Sequence, residues 1–375
     1  MKKGLIIIGL LSLFVLSACG VSKPVGSEEL KVVKIGIIAP FSGDASAYGQ
    51  DMEKILQYQL GIINEQAFKK GKKFELVFED GKCTGTNSVT AIQKLVDFDG
   101  VNVILGGACS SETLAITPIT NDKGVILLSA LSSNPDIEKQ GDYVFSLSYR
   151  DDLVGIGLAE ELKKYSKIAI VTEQNDYNVG LRKVVLDNLK NSTSIVADET
   201  FEKGASDFRN ILEKVANSKP EAIFLNPNAG VTAENLIKQL AEIKSLNNIQ
   251  LISQGMYLPD NIRDSSQGIS EGMIIIDAPS VTSKELTDTI ANIESSKGKI
   301  PTLGNYYTAS CLDALNVLAE VITSVGLDSV KIKDSLRSDT FNGYLGKIYF
   351  GKDNFVQNIQ VGKYIVKDGK AVYQN

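Results

Sequence analysis

Residues 35–64 decide the fold of this chain. They begin with IGIIA (35–39), a short apolar run, followed by PFSGDASAYG (40–49), a loop with glycines and serines. An amphipathic stretch then continues to Asn64. A strand, a loop and a helix in this order make the first part of a βαβ unit, from which parallel sheets are built. The segment therefore predicts an α/β protein.

The same alternation extends along almost the whole chain. The predicted strands are rich in Val, Ile, Leu and Phe, and they lie at 35–39, 74–78, 101–105, 125–128, 143–147, 168–171, 194–197, 222–225, 249–252 and 272–277. The predicted helices lie at 50–64, 87–98, 112–120, 179–189, 208–216, 233–243, 284–294 and 306–325. Hairpin-like strands are expected at 344–350 and 361–366. With 375 residues, the chain is long enough for two doubly wound parallel-sheet lobes.

The tail does not simply continue the alternation, and it is too short to form a third domain. We expect the chain to cross back to the first lobe after Asp277 and to return to the second near Phe341. The predicted N-terminal lobe comprises 32–148 and 279–341, and the predicted C-terminal lobe comprises 149–278 and 342–375. Two lobes joined by several strands form a hinge, with a ligand cleft between the carboxyl ends of both sheets.

The N-terminus indicates export from the cytoplasm. Two lysines precede an apolar stretch (5–16) that is shorter than the roughly 20 residues of a membrane span, so residues 1–18 read as a signal peptide. The following LSAC (16–19) resembles the lipobox of bacterial lipoproteins, whose cysteine is diacylated. We therefore expect lipidation of Cys19, a lipid-anchored tether at 19–31 and an extracytoplasmic location at the cell membrane. A plain secreted protein is the alternative.

The composition excludes several classes of function. The chain contains no histidine, so it has neither a Ser-His-Asp nor a Cys-His nucleophile system and no histidine-ligated metal site. Its net charge of −6 argues against nucleic acid as a partner. Glycine-rich nucleotide-binding motifs are absent from the sequence. We expect a binding protein without cofactor or metal; an extracytoplasmic hydrolase is the distant alternative, and no residue spacing supports it.

Two cysteines are candidates to form a disulfide. Cys83 and Cys109 each follow a predicted strand, at 74–78 and 101–105, and adjacent parallel strands bring such ends together. Export makes a disulfide chemically permissible. Cys311 lies on an apolar helical face, where a free cysteine behaves as a small hydrophobic residue.

The candidate ligand residues lie in loops after the predicted strands. Serine hydroxyls and backbone N–H groups at helix N-termini bind an anion such as a carboxylate without any formal positive charge; each serine alone is equally well explained as a helix cap. In the first lobe these serines are Ser110, Ser111, Ser132 and Ser133. From the second lobe, the loops that face the cleft contribute Tyr177, Asn226, Gln254 and Tyr257 as candidates and Asp176 as a partner for an ammonium group. For Asn226, a role as an ordinary polar loop residue is the alternative.

Five segments carry a resemblance to a known family: 35–49, the pair Cys83 and Cys109, 109–111, 128–135 and 168–180. On these segments the chain resembles the type I solute-binding proteins of ABC importers, most closely the leucine/isoleucine/valine-binding branch. The similarity covers nearly the whole chain after the tether.

The resemblance implies a role for several residues. It implies a disulfide between Cys83 and Cys109. It also implies that the ligand carboxylate is bound by Ser110 and Ser133, that the backbone carbonyl of Leu131 accepts from the ligand amine, and that Tyr48 and Tyr177 line the cleft.

One loop departs from the pattern of that branch. Branched-chain amino-acid binders carry an acidic residue after the strand predicted at 249–252, whereas this chain has SQGMY (253–257). An amino acid would then be held by neutral acceptors or by another acid such as Asp176; otherwise the ligand lacks the amine, as amides and organic acids do. We expect a monomeric receptor for a small carboxylate-bearing solute, an amino acid first of all, that works with an ABC permease. A sensor that passes lobe closure to a signalling partner is the alternative.

Overall fold

The computed structural model describes residues 30–190, 192–228 and 230–374. The predicted signal peptide (1–18), the predicted lipidation site Cys19 and nearly all of the tether lie outside the described residues.

The helices and strands follow the alternation that the sequence predicts. The first half of the chain contains β1 (Lys31–Ala39), α1 (Ser46–Ala67), β2 (Lys72–Asp80), α2 (Gly85–Gln93), β3 (Val103–Gly106), α3 (Ser110–Lys123), β4 (Ile126–Ser129), β5 (Val144–Ser146), α4 (Asp151–Leu162), β6 (Lys167–Gln174) and α5 (Asp176–Leu189). Next come β7 (Ser194–Glu202), α6 (Arg209–Ser218), β8 (Ala222–Asn226), α7 (Val231–Glu242), β9 (Gln250–Gln254), α8 (Asp260–Asp264) and β10 (Ile274–Asp277). The tail contains α9 (Lys284–Lys297), α10 (Asn305–Val325), α11 (Ser329–Ser338), β11 (Phe341–Gly343), β12 (Gly346–Ile348), β13 (Gly362–Lys367) and β14 (Lys370–Gln374).

The strands form two main sheets. The first has the order β2-β1-β3-β4-β5 and is parallel throughout. The second has the order β14-β13-β10-β9-β8-β6-β7; it is parallel except for β13 and β14, which run antiparallel at one edge. A separate hairpin joins β11 and β12. The predicted α/β class with two lobes is confirmed.

Each sheet is covered on both faces because successive side chains of a strand point to opposite sides. In β1, Ile35 and Ile37 are buried in the core with α1 and α10, whereas Ile38 is buried in the core on the opposite face with α2. The helix α10 is apolar and long enough to cross a membrane, but 72% of its most apolar window is buried inside the protein. We therefore interpret α10 as a core helix of the first lobe.

The chain leaves the second sheet close to the residue at which the sequence predicts the first crossing. It returns to that sheet later in the sequence than predicted. It leaves the second sheet at Asp277 and enters α9 and α10, which pack in the first core. The hairpin after residue 341 also packs there, since the carboxylate of Asp313 in α10 accepts the N–H groups of Tyr344 and Leu345, both at 2.9 Å. The first core extends to Val356, and the chain rejoins the second sheet only at β13. Short strands at 344–350 do not reveal by pattern alone which lobe they join.

The start of α1 packs against the end of β1 with no space for a side chain. A Cβ atom on Gly49 would lie 2.1 Å from the carbonyl oxygen of Pro40, which is backbone and cannot rotate away. We expect Gly49→Ala to lower the free energy of unfolding by about 2 kcal/mol, measured by urea denaturation.

Gly61 on the same helix is the matched control. It is exposed, and a Cβ there would meet nothing within 4 Å. Gly61→Ala should raise the free energy of unfolding by about 0.5–1 kcal/mol, because alanine loses less backbone entropy in a helix than glycine does. Equal effects of the two substitutions would contradict the close approach at Gly49.

Candidate ligand-binding site

A cavity lies between the two lobes, at the carboxyl ends of strands from both sheets. Its volume is about 760 Å³, including the part that is open to solvent. The first lobe lines it with Pro40, Ala45, Tyr48, Cys83, Ala108, Cys109, Ser110, Ser111, Leu131 and Ser133. The second lobe and the α9–α10 connection add Asn175, Tyr177, Asn228, Gly255, Met256, Leu303 and Tyr307. Over the described part of the chain, neither Lys nor Arg lines this cavity.

The N-terminus of α3 gives the cavity a corner suited to an anion. Ser110 is the first residue of α3 and is buried, and its hydroxyl has no hydrogen-bond partner among the described residues. The first N–H groups of a helix lack partners within the helix and carry partial positive charge. Ser133, also buried, lines the same cavity. Hydroxyl and N–H donors therefore collect here without a lysine or arginine side chain.

The expected disulfide is present beside this corner. Cys83 and Cys109 are joined, with 5.3 Å between their Cα atoms. The carboxylate of Glu112 accepts the N–H of Cys83 at 2.9 Å with one oxygen and the N–H of Cys109 at 3.0 Å with the other. Burial raises the pKa of Glu112 to about 7, although these N–H donors favour the charged form. Glu112 and the disulfide together hold the loops after β2 and β3 and position the first turn of α3.

Among the serines after β4, Ser133 lines the cavity and Ser132 does not. The Ser132 hydroxyl donates to the carbonyl of Gly107 at 2.8 Å and lies 2.6 Å from the hydroxyl of Thr113. Leu131 and Ser133 line the cavity, while the hydroxyl of Ser132 bonds inside the protein. The hydroxyl of Ser132 thus supports the loop that presents its two neighbours.

Two predicted ligand residues of the second lobe bond within the protein. The Asn226 side chain is buried and donates to the carbonyl of Asn178 at 2.9 Å. The Gln254 side chain donates to the carbonyl of Pro227 at 2.9 Å and accepts the N–H of Met256 at 3.0 Å. Both side chains shape loops that border the cavity, and neither lines it.

The two tyrosine candidates and the acidic candidate of the second lobe occupy different environments. Tyr177 lines the cavity. Tyr257 is buried in the second core, where its hydroxyl donates to the carbonyl of Ala233 at 3.3 Å. Asp176 is exposed at the start of α5 and does not line the cavity. Position in a loop after a strand does not determine which way a side chain points.

Two buried carboxylates near the cavity were not singled out by the sequence pattern. Asp277 ends β10, and one of its oxygens accepts the hydroxyls of Tyr149 and Tyr307, the latter at 3.0 Å. Asp151 begins α4; burial raises its pKa to about 8, with the Ser133 side chain opposing and the charge of Asp277 adding to the rise. Asp277 is the last residue of the strand predicted at 272–277, and this position at a strand end is the one signal that could have identified it. Within the described residues, no cluster of three or more acidic or cysteine side chains is arranged to hold a metal ion.

The lobes touch across the cavity. The Tyr48 hydroxyl of the first lobe donates to the sulfur of Met256 at 3.7 Å. The Lys203 ammonium of the second lobe donates to the carbonyl of Cys83 at 2.6 Å, next to the disulfide. The structure is therefore a form in which the two lobes are in contact around the cavity.

The fold and this interlobe cavity match a known family. The model of the family described as periplasmic binding protein matches residues 32–369. The chain belongs to the periplasmic binding protein family. Membership confirms the expectation of a binding protein rather than an enzyme.

Relatives and solved structures agree with this membership. An amino acid binding protein of Pseudomonas aeruginosa is 28% identical over 250 residues, which are 64% of this chain and 65% of that protein. The alignments with the first curated relatives span between 53% and 65% of the relatives' own length. Streptococcus pneumoniae LivJ, solved with isoleucine, has a TM-score of 0.77 at 23% identity and covers 92% of this chain and 100% of its own. A Rhodopseudomonas palustris solute-binding protein solved with 4-hydroxybenzoate has a TM-score of 0.81 at 17% identity, with 92% and 96% covered.

The role of Glu112 can be tested in this periplasmic binding protein by Glu112→Gln. An amide has only one acceptor oxygen, so one of the two buried N–H groups would lose its partner, which costs about 2 kcal/mol. We expect the free energy of unfolding to fall by this amount, measured by urea denaturation of the oxidised protein. Glu65→Gln, at an exposed position of α1, should change it by less than about 0.5 kcal/mol.

The pH dependence gives a second measurement on the same pair of variants. The pKa of Glu112 is raised to about 7 in the folded protein, above its ordinary value of 4.5, so the folded state holds this proton more tightly than the unfolded state does. The resulting stabilisation is complete below pH 4.5 and is lost as the pH rises through 7. The wild type should therefore lose more stability than Glu112→Gln between pH 4.5 and 7.5. Parallel pH profiles would contradict this assignment.

Proposed function

We propose that this protein is an extracytoplasmic receptor that captures a small carboxylate-bearing solute, an amino acid, between its lobes for an ABC importer. The observation that carries the proposal is the cavity corner at the N-terminus of α3. There the unpartnered hydroxyl of Ser110, the hydroxyl of Ser133 and the N–H groups of the first helical turn offer hydrogen-bond donors to a guest.

Neutral donors suit a carboxylate for a physical reason. Dipoles fixed in a water-poor cavity stabilise a negative charge without the need to desolvate a lysine or arginine side chain. The ligand carboxylate would satisfy the Ser110 hydroxyl, which lacks a partner in the described structure. Among the predicted contacts, Tyr48, Ser111, Leu131 and Tyr177 also line the cavity, and they would border the rest of the ligand.

The comparisons support a carboxylic acid of one of two kinds. The Pseudomonas aeruginosa relative is named for amino acids, and the Streptococcus pneumoniae structure holds isoleucine. The Rhodopseudomonas palustris structure holds 4-hydroxybenzoate, an aromatic acid without an amine. An aromatic acid is the second candidate, because Tyr48, Tyr177 and Tyr307 line this cavity.

Location and partners follow from the same proposal. Membership of the periplasmic binding protein family implies an extracytoplasmic location. We propose that residues 1–18 are removed as a signal peptide and that Cys19 carries the lipid. The monomeric receptor would then present its closed form to a membrane permease, which distinguishes loaded from empty receptor by shape.

Two serines provide the decisive test of the ligand site. We expect at least one L-amino acid to raise the melting temperature of the purified protein in a screen of amino acids, amides and short organic acids. Ser110→Ala and Ser133→Ala should each weaken binding at least about tenfold by calorimetry, because a hydrogen bond to a charged group contributes about 1.5–3 kcal/mol. The double variant should abolish the thermal shift.

Ser132→Ala is the matched control from the same loop. Its hydroxyl bonds to Gly107 inside the protein, so this substitution should lower stability and change affinity by less than about threefold. An undiminished thermal shift in the Ser110→Ala, Ser133→Ala double variant would show that the ligand carboxylate binds elsewhere.

A further inference from the structure

One buried oxygen directly behind the cavity lining lacks a partner among the described residues. Asp277 is 1% exposed, and its Oδ1 accepts the hydroxyls of Tyr149 and Tyr307. Its Oδ2 has no hydrogen-bond partner within residues 30–190, 192–228 and 230–374. A buried carboxylate oxygen is costly to leave without a donor. The Oδ1 atom of this carboxylate is thus held by two hydroxyl groups, whereas the Oδ2 atom accepts no hydrogen bond from the described residues.

The position of Oδ2 follows from the strand register. In the parallel pair of β9 and β10, Ile276 lies beside Gln254, so Asp277 lies beside Gly255. A Cβ atom on Gly255 would lie 2.0 Å from Oδ2 of Asp277. The carboxylate therefore occupies the space that a side chain at position 255 would take, and Gly255 lines the cavity.

In addition to burial, the carboxylate of Asp277 raises the pKa of tyrosines on both sides of the cavity. Burial raises the pKa of the Tyr48 hydroxyl, and Asp277 raises it further. Burial also raises the pKa of Tyr177, with contributions from Asp151 and then from Asp277. Tyr48 belongs to the first lobe and Tyr177 to the second. Asp277 itself does not line the cavity; it lies directly behind Gly255 and Tyr307, which do.

The buried carboxylates near the cavity have no cationic partner among the described residues. Asp277 and Asp151 form no ion pair with any lysine or arginine of the described chain, and no cationic side chain lines the cavity. Asp277 also borders a second, more open recess, which contains Arg263 and Lys370. Arg263 donates to the carbonyls of Tyr257 and Gly369 and to Asp260, so it does not reach Asp277.

We propose that Oδ2 of Asp277 is the acceptor for the ammonium group of an amino-acid ligand. This inference rests on the proposed function, since it assumes that the ligand carboxylate lies at Ser110 and Ser133. Tyr149 and Tyr307 position the carboxylate, and Gly255 leaves it room. The acid absent from the loop 253–257 is thereby supplied by the neighbouring strand, and the site selects ligands that carry an amine.

The test compares pairs of ligands that differ only in the amine. The probes are L-leucine, L-valine, L-alanine and L-phenylalanine, paired with 4-methylpentanoate, 3-methylbutanoate, propanoate and 3-phenylpropanoate. In the wild type, calorimetry should show at least about thirtyfold tighter binding of the amino acid in each pair that binds. Asp277→Asn should remove most of this preference and change the affinity for the amine-free acid by less than about threefold. A purely structural role of Asp277 would weaken both members of a pair equally.

Asp313→Asn is the matched control. Asp313 is another buried aspartate, but its carboxylate accepts the N–H groups of Tyr344 and Leu345 and does not border the cavity. This variant should lower the melting temperature and leave the amine preference intact.

A rescue variant covers the case in which Asp277→Asn does not fold. Gly255→Asp alone should destabilise the protein, because its Cβ conflicts with Asp277. Combined with Asp277→Ser, it moves a carboxylate into the same space from β9, and the amine preference should return.

The remaining outcomes separate the two proposals. The assignment of Asp277 would be overturned if Asp277→Asn kept the full preference for the amine-bearing ligand. It would also be overturned if the rescue variant folded but showed no such preference. If the amine-free acids bind the wild type as tightly as the amino acids do, the assignment fails and the carboxylate receptor stands. If no member of any pair binds, the proposed function fails, and the role of Asp277 fails with it.

Discussion

The convergence of parallel strands on one edge is the constraint on which the rest of this structure depends. Every strand of a parallel sheet ends at the same side, so the loops after β1, β3 and β4 meet in the first lobe. The loops after β6, β8 and β9 meet in the same way in the second lobe, and the two sets face each other across the cavity. The helices on both faces of each sheet keep these edges in place by burying the central strands.

The cavity is electrically uneven although no lysine or arginine of the described chain lines it. The N-terminus of α3 contributes partial positive charge, and the Ser110 hydroxyl adds a donor. Asp151 and Asp277 contribute buried carboxylates behind the residues that line it. An elongated solute with a negative and a positive end would match this arrangement better than an ion of a single sign. Glu112 and the disulfide position these donors; the disulfide cysteines line the cavity, whereas Glu112 does not.

The site was more predictable in the first lobe than in the second. Of the candidates in the first lobe, Tyr48, Ser110, Ser111, Leu131 and Ser133 line the cavity. Only Ser132 faces inward, where its hydroxyl donates to the carbonyl of Gly107. In the second lobe Tyr177 lines the cavity, whereas Asn226, Gln254 and Tyr257 bond to backbone groups of neighbouring loops. A long polar side chain after a strand can stabilise its own loop or reach a ligand, and composition does not separate these two cases.

The sequence by itself determined the α/β class, the two lobes, the pairing candidates Cys83 and Cys109, and the strand ends at which the interlobe cavity lies. These features follow from hydrophobic periodicity and strand ends, which are local properties of the chain. Only the tertiary structure decided that the segment from Phe341 to Val356 packs in the first core, and that Asp277 stands beside Gly255. Both depend on packing and strand register between residues that are distant in sequence. No local pattern encodes such neighbours, because each is selected by the shape and hydrogen bonding of the surfaces that meet.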